Sequence, residues 1–260
     1  LPRQLIDDQV LRQLLGQKNA EVAVAHAARA FFIAGLAEIS SQAPIVAVTS
    51  TVREAETLSD DLEIWLGKDR VRSFPAWETL PFERISPATE TMGKRLELLN
   101  RLQLKNAPDV VIAPVRALLQ RINPETLDIQ LSKLRRGSKV DLSELSKFLV
   151  ETGYRREFQV EHRGEFAIRG GILDIFPSTG ASPVRVDLWG DEVERLSEFS
   201  VSDQRSTVET NSVTLAPARE LLATRQVRER ATGLLETEPW GREQWERIAA
   251  GEFFDGMESW

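Results

Sequence analysis

One stretch decides the fold of the second half of this chain: Gly164-Glu165-Phe166-Ala167-Ile168-Arg169-Gly170-Gly171-Ile172-Leu173-Asp174-Ile175-Phe176-Pro177. Phe166 and Ile168 alternate with polar or small neighbours, which is typical of a half-buried strand. If this alternation simply continued, Leu173 and Ile175 would point to solvent. A β-bulge at Gly170-Gly171 shifts the phase by one residue and returns both side chains to the core. We therefore expect three side chains on the opposite, solvent-facing side of the sheet: Arg169, Asp174 and Phe176.

The next predicted strand is Val184-Arg185-Val186-Asp187-Leu188-Trp189, and it alternates without a break. Its aliphatic side chains point to the core, which leaves Arg185, Asp187 and Trp189 on the other side. If the two strands pair, one open face carries two arginines, two aspartates and two aromatic rings. Arginines beside aromatic rings are favoured at protein interfaces. The alternative is a polar surface with cross-strand ion pairs of little energetic value, and composition does not separate the two.

Strands alternate with helices in residues 1–125, and this order is typical of a parallel sheet covered on both faces. Thr49-Ser50-Thr51 provides a cap between a buried strand and the helix that follows it. A proline-punctuated loop occupies residues 74–81. The predicted strands are 22–24, 45–48, 71–74 and 110–113. The predicted helices are 1–18, 29–39, 52–65, 89–104 and 114–120.

The pattern changes after Pro124. Asp141 caps a helix that ends at Gly153, and residues 154–208 have the pattern of antiparallel strands joined by short turns. The chain becomes helical again from Ala216, with 220–236 as the longest helix. We therefore predict three segments: residues 1–125 as the first part of an α/β domain, 126–212 as a β-rich insert domain, and 213–260 as a helical remainder that completes the α/β domain.

Composition restricts the class of protein. The chain has 33 Lys and Arg against 40 Asp and Glu, a net charge of −7, which weighs against broad binding of duplex DNA. It has no cysteine, which excludes disulfides, thiolate zinc sites and cysteine nucleophiles. No apolar run approaches the roughly 20 residues that span a bilayer, and no signal peptide is visible. Leu1 stands where a complete chain begins with Met, so we expect a fragment of a longer, cytoplasmic protein.

Sequence motifs for catalysis are missing. A P-loop needs Gly-x-x-x-x-Gly-Lys-Ser/Thr, but Gly93-Lys94 is followed by Arg95, without a hydroxyl residue and without the glycine that the motif needs five residues earlier. The two histidines, His26 and His162, have no second ligand at metal-binding spacing. No Gly-x-Ser-x-Gly motif occurs, although a Ser-His-Asp site assembled from distant residues stays open. We predict no catalytic residues, no cofactor and no metal in this chain.

Several stretches resemble a known family. Residues 164–177 and 184–194, with Ser202-Asp203-Gln204-Arg205-Ser206 after them, resemble the insert that UvrB shares with bacterial transcription-repair coupling factors (Mfd). Residues 74–83 and 256–259 resemble the coupling factors in particular. Ala25-His26-Ala27-Ala28-Arg29-Ala30 occupies the place of the UvrB P-loop, and a short loop at 74–88 replaces its tyrosine-rich hairpin. The resemblance implies an N-terminal UvrB-homology module: a degenerate helicase-like (RecA/P-loop-type) parallel-sheet domain with a β-rich α+β insert.

The resemblance also implies a partner. In the family the insert binds UvrA, and the positions that match UvrA-contacting residues of UvrB are Arg156, Arg169, Phe176, Arg185 and Asp187. We expect a non-catalytic adaptor of transcription-coupled nucleotide excision repair. In the full-length family protein, other domains bind RNA polymerase, translocate on double-stranded DNA with ATP and Mg, and mask the UvrA-binding face through a C-terminal domain. The alternatives are a UvrB-type ATPase that binds damaged DNA, and weak DNA binding through Arg135, Arg136 and Lys139.

Overall fold

A computed structural model describes residues 8–40, 44–81, 83–104, 107–123 and 131–260. The chain divides into two compact units. The first unit contains Leu1–Ala76 and Leu98–Arg121, and the second contains Trp77–Glu97 and Ile122–Trp260. Each unit has its own hydrophobic core. Within the described ranges, no helix has both the length and the apolar character needed to cross a bilayer.

The first unit is an α/β layer structure built on a three-stranded parallel sheet. Its strands β1, β2 and β3 lie in the order β1-β3-β2, and both pairings are parallel. Helices α2 and α3 pack on the sheet through one apolar cluster. The elements in chain order are α1 (Gln9–Leu15), α2 (Arg29–Ile39), β1 (Ile45–Thr49), α3 (Val52–Leu66), β2 (Val71–Ser73), α4 (Thr89–Gln103), β3 (Val110–Pro114) and α5 (Val115–Leu119). Residues 89–97 of α4 are grouped with the second unit.

Most predicted elements of this unit are confirmed, and two predictions are wrong. Helix α2 has the predicted bounds, and the side chain of Thr51 caps α3 by accepting a hydrogen bond from the Glu54 amide at 3.1 Å. The strand predicted at 22–24 does not form: these residues pair with no strand in the described ranges, and a 3-10 turn at His26–Ala28 follows them and leads into α2. β1 is not buried on both faces: it is an edge strand whose Val46 and Val48 are exposed. The first seven residues of the helix predicted at 1–18 lie outside the described residues.

The second unit contains a six-stranded sheet, β10-β9-β8-β7-β6-β5, and a two-stranded pair, β11-β4. All neighbours in both sheets are antiparallel except β5 and β6. The strands are β4 (Ser132–Arg135), β5 (Arg155–Arg156), β6 (Glu165–Arg169), β7 (Ile172–Ile175), β8 (Val184–Trp189), β9 (Glu192–Phe199), β10 (Ser206–Thr210) and β11 (Ser212–Leu215). The helices are α6 (Leu142–Glu151), α7 (Arg225–Thr237) and α8 (Arg242–Ala250), followed by a 3-10 turn, Met257–Ser259.

One face of the six-stranded sheet forms the main core of this unit. Asp141 caps α6 as predicted, by accepting hydrogen bonds from the Ser143 and Glu144 amides at 2.8 and 3.2 Å. Leu145 and Leu149 of α6 then pack on the sheet. The same cluster contains Leu134, Val213 and Leu215 of the β4–β11 pair and these apolar side chains of the six-stranded sheet: Phe166, Leu173, Ile175, Val184, Val186, Val193 and Leu196.

Buried ion pairs connect distant parts of the second unit. Arg95 of α4 and Glu220 are both buried, and the Arg95 Nε donates to Glu220 Oε1 at 2.6 Å. The indole N–H of Trp77 donates to the same oxygen at 3.1 Å. The helix predicted at 220–236 begins later, at Arg225, where the Thr224 side chain caps it by accepting a hydrogen bond from the Val227 amide. That residues 213–260 complete the α/β domain stays a prediction.

Candidate protein-interaction surface on the six-stranded sheet

A tight hairpin, and not a β-bulge, places the side chains of β6 and β7. Arg169 pairs directly with Ile172, so that Gly170 and Gly171 are the two turn residues. Gly170 has a φ of 60°, which favours glycine, and a Cβ on Gly171 would lie 2.9 Å from the Leu188 carbonyl oxygen. The predicted bulge is therefore wrong. A two-residue turn also returns Leu173 and Ile175 to the core side, because residues paired across a hairpin point to the same face of the sheet.

The predicted inward and outward sides of these strands are confirmed by the register. Phe166 pairs with Ile175 and Ile168 with Leu173, and all four belong to or pack against the core that contains α6. The opposite face, here called the outer face, carries the remaining side chains of β6–β9. Across its middle runs a row of Cα partners: Ala167, Asp174, Arg185 and Ser197.

Asp174 is the centre of this outer face and is completely buried. Arg185 donates to both carboxylate oxygens, with Nε to Oδ1 at 2.7 Å and Nη2 to Oδ2 at 2.9 Å. Arg169 donates to Oδ2 as well. The Arg185 guanidinium also lies over the Phe199 ring, 5.0 Å from its centroid. Hydrogen bonding to Asp174 raises the pKa of Arg185, which keeps the guanidinium charged.

The outer face is only partly open to solvent, which corrects the prediction. Residues 157–163 and 200–205 fold back over the end of the sheet where β7 finishes and β8 begins. A small apolar cluster lies there, formed by Val160, Ala167, Phe176 and Phe199. Phe176 is therefore buried, and the Arg163 guanidinium covers its ring at 4.9 Å from the centroid. Asp174 and Phe176 are on the predicted side, but neither faces solvent.

The open part of the outer face carries a second row of side chains, here called the charged row. Cα pairing brings together Arg169, Ile172, Asp187 and Arg195 on four neighbouring strands. The Arg195 Nε lies 3.0 Å from Asp187 Oδ2. The Arg169 side chain is 42% exposed, against 17% for Arg185. Trp189, two residues along β8 from Asp187, is 80% exposed. The predicted residues Arg169, Arg185 and Asp187 thus lie on one surface.

Sequence reasoning missed Arg195. A two-residue turn after Trp189 would place Glu194 opposite Asp187. Instead Asp187 pairs with Arg195 while Leu188 pairs with Val193, so Glu194 is the extra residue of a bulge in β9. The insertion rotates Arg195 onto the outer face, and no local signal in the sequence marks it.

Arg156 lies apart from the other predicted residues. It pairs in register with Phe166, a core residue, in the parallel β5–β6 ladder. Its neighbours around a shallow groove include Ile168 of β6 and Lys147 and Val150 of α6. Arg156 is exposed, but on the α6 side of the sheet edge and away from the charged row.

A second candidate region lies in the first unit, where β1 ends and α3 begins. A cleft of about 680 Å³ includes His26, Arg29 and the 49–51 turn in its lining. The Glu54 carboxylate accepts hydrogen bonds from the amide and hydroxyl of Ser50 at this helix N-terminus. Hydrogen bonding to Ser50 lowers the pKa of Glu54, so a fixed negative charge occupies the place that favours a phosphate.

Metal-ligating side chains are not clustered in the described ranges, where no group of three or more His, Asp or Glu residues is placed to hold an ion. His162 is largely exposed, with its Nδ1 3.4 Å from the buried Glu165. Glu165 accepts the Glu161 and His162 amides at 2.9 and 2.8 Å. It therefore orders the 157–163 loop.

Comparisons with known proteins show which family this chain belongs to. Residues 132–221, which contain the whole six-stranded sheet, match the family model of the UvrB interaction domain. The chain is 39% identical over 96% of its length to the transcription-repair-coupling factor of Mycobacterium bovis, of which the match covers 22%. The chain belongs to the transcription-repair-coupling factor family. The corresponding factors of Bacillus subtilis and Escherichia coli are 35% and 33% identical over 78% and 75% of the chain, each match covering 17% of the relative. The chain thus spans about a fifth of the first of these relatives and less of the others.

Proposed function

We propose that this chain is a non-catalytic adaptor of transcription-coupled nucleotide excision repair that recruits UvrA through the outer face of its six-stranded sheet. One observation carries the proposal. The UvrB interaction domain match covers the sheet whose outer face brings Arg169, Arg185 and Asp187 together, three of the five residues that the family resemblance implies. UvrA recruitment is the function this arrangement supports best.

The order of charges along the charged row favours one alignment of a partner surface over others. Arg169, Asp187 and Arg195 lie on β6, β8 and β9 and carry positive, negative and positive charge, with the uncharged Ile172 on β7 between the first two; neighbouring strands lie about 4.8 Å apart. Arg169 donates to buried Asp174 and keeps other guanidinium N–H groups for a partner carboxylate. A partner surface with the opposite alternation fits this row, and a shift by one strand places like charges opposite each other.

An adaptor role without catalysis is supported by the first unit. The carboxylate of Glu54 at the start of α3 repels a nucleotide phosphate in the adjoining cleft. We propose that the parallel sheet is a degenerate helicase-like platform without cofactor. We propose also that the whole protein displaces stalled RNA polymerase as an ATP- and Mg-dependent translocase on duplex DNA, and that its C-terminal domain masks the outer face. The UvrB-type ATPase remains the alternative, and ATP hydrolysis by this chain would revive it.

A charge-swap experiment tests UvrA recruitment. Calorimetric titration compares the wild type with a variant carrying Asp187→Arg and Arg195→Asp, which preserves the ion pair and reverses its direction. The matched control reverses the exposed Arg225–Glu229 pair of α7, whose charged atoms lie 2.7 Å apart. We expect UvrA to bind the wild type and the control alike, and the row variant at least tenfold more weakly, because like charges then meet across the interface. If both swapped variants bind UvrA equally well, the charged row is not part of the interface.

A further inference from the structure

Gln204 has an unusual backbone conformation. Its φ is 59°, and it is the single non-glycine residue with a positive φ in the part of the chain that the structure describes. A side chain in this region strains the backbone, and such strain persists where surrounding contacts fix the residue. Gln204 lies in the 200–205 loop between β9 and β10, beside the buried centre of the outer face.

The contacts of Gln204 connect two loops and one strand. Its side-chain Nε2 donates to the Val160 carbonyl at 3.2 Å and to the Val201 carbonyl at 2.9 Å. Its backbone carbonyl accepts a hydrogen bond from Arg185 Nη1 at 3.2 Å. Its amide donates to the Ser200 carbonyl at 2.8 Å. One residue therefore holds the 157–163 loop, its own loop and the β8 guanidinium together.

The geometry of Arg185 depends on this arrangement. Two of its nitrogens hold Asp174 and the third reaches the Gln204 carbonyl. Since Arg185 occupies both Asp174 oxygens, Arg169 shares only Oδ2 and its side chain stays more exposed. Releasing Gln204 frees Arg185 to turn, and Arg169 then loses its fixed position over Asp174.

We infer that Gln204 is a positioning residue of the docking surface: it locks Arg185 on Asp174 and thereby orients Arg169 toward the partner. This inference rests on the proposed recruitment of UvrA. With the left-handed backbone at Gln204, the main-chain carbonyl points at Arg185 of β8 while the side-chain amide points at the Val160 carbonyl. A polar side chain of this length is needed because both acceptors are main-chain carbonyls of separate loop segments.

Two substitutions remove the side-chain hydrogen bonds of Gln204, one with and one without the strained backbone. Gln204→Gly removes the steric strain together with both side-chain hydrogen bonds, and Gln204→Glu keeps the size but removes both donors. The matched control is Ser202→Gly in the same loop, whose hydroxyl contacts only the Ser200 hydroxyl at 2.9 Å among the described residues. At a temperature at which all variants are folded, we expect both Gln204 variants to bind UvrA about tenfold more weakly, while the control binds as the wild type.

Hydrogen exchange gives a readout that does not need UvrA. We expect amides of the 157–163 loop to exchange faster in both Gln204 variants than in Ser202→Gly, because the contact with the Val160 carbonyl is lost. Unchanged exchange, or UvrA binding as tight as that of the control, overturns the positioning role. If the wild type itself does not bind UvrA, the proposed function fails, and the exchange comparison alone decides whether Gln204 holds the loop.

Discussion

Asp174 and Arg185 face each other across β7 and β8, and the guanidinium holds both oxygens of a carboxylate that has no solvent exposure. A buried ion pair of this kind contributes little net stability, but removing one partner leaves an uncompensated buried charge. The pair therefore belongs to the interior of the sheet as much as to its surface. This double role separates variants that affect stability from variants that affect binding.

Replacing Asp174 tests the interior role. We expect Asp174→Ala to lower the free energy of unfolding by about 3 kcal/mol, since Arg185 is then buried without its carboxylate. Asp187→Ala is the matched control, because its partner Arg195 is 49% exposed and stays hydrated when the carboxylate is removed, and we expect a loss of about 0.5 kcal/mol. Urea unfolding followed by circular dichroism measures both. Equal losses in the two variants contradict the account of Asp174 as the buried centre.

Arg169 and Arg185 share one carboxylate, so their effects on UvrA binding should not add. In a double-mutant cycle with alanine at both positions, we expect a coupling of about 1 kcal/mol in the binding free energy. Calorimetry on variants confirmed as folded measures this coupling. Additive effects would mean that each arginine meets UvrA independently, without Asp174 between them.

Arg156 and Arg169 lie on opposite sides of the sheet and share no partner among the described residues. If UvrA contacts both, their alanine variants should weaken binding additively, to within about 0.5 kcal/mol. The same titrations with Arg156→Ala and with the Arg156→Ala, Arg169→Ala pair check this. Strong coupling between these two residues contradicts their separation across the sheet edge.

The two sides of the sheet were predictable from the sequence, but the burial of the outer face was not. Alternation in β6, β7 and β8 determines which side chains share a face. Two features that depend on distant residues were missed: the fold-back of the 157–163 and 200–205 loops, which buries Asp174, and the bulge at Glu194, which brings Arg195 opposite Asp187.

The first unit illustrates the same limit. Helix α2 has the predicted bounds although no side chain caps its N-terminus, whereas residues 22–24 include two strand-forming valines but pair with no strand among the described residues. The helix predicted from Glu220 starts at Arg225 after the Thr224 cap, and Glu220 instead pairs with Arg95, more than a hundred residues earlier in the chain. Local sequence patterns predict that a helix or strand is present, whereas contacts between distant residues are not visible in them.

Alkaline pH should unfold this protein through its single tyrosine. Tyr154 is buried, donates to the Ala216 carbonyl at 2.7 Å and accepts the Ser178 amide at 3.2 Å. Burial raises the pKa of Tyr154 above its ordinary value of 10.0. The folded state therefore keeps the phenol proton more tightly than the unfolded state. The stability from this group is complete below pH 10 and is lost as pH rises from there toward the folded pKa.

The ultraviolet absorbance of tyrosinate reports this ionisation directly, because no other tyrosine is present. We expect the absorbance change to coincide with the loss of far-ultraviolet circular dichroism. Tyr154→Phe should be about 1 kcal/mol less stable at neutral pH and should lose part of the alkaline sensitivity. Ionisation of Tyr154 in a still-folded chain contradicts its buried environment.

Photo-crosslinking tests most directly whether UvrA docks on the outer face. A photoreactive phenylalanine analogue replaces Trp189, which is 80% exposed on the same side of β8 as Asp187, and in a matched variant it replaces Trp240, which is 48% exposed in the α7–α8 connection. We expect a UvrA crosslink from position 189 that the Asp187→Arg, Arg195→Asp swap strongly weakens, and none from position 240. UvrA binding with a crosslink from position 240 and none from position 189 would place the interface elsewhere and contradict the account.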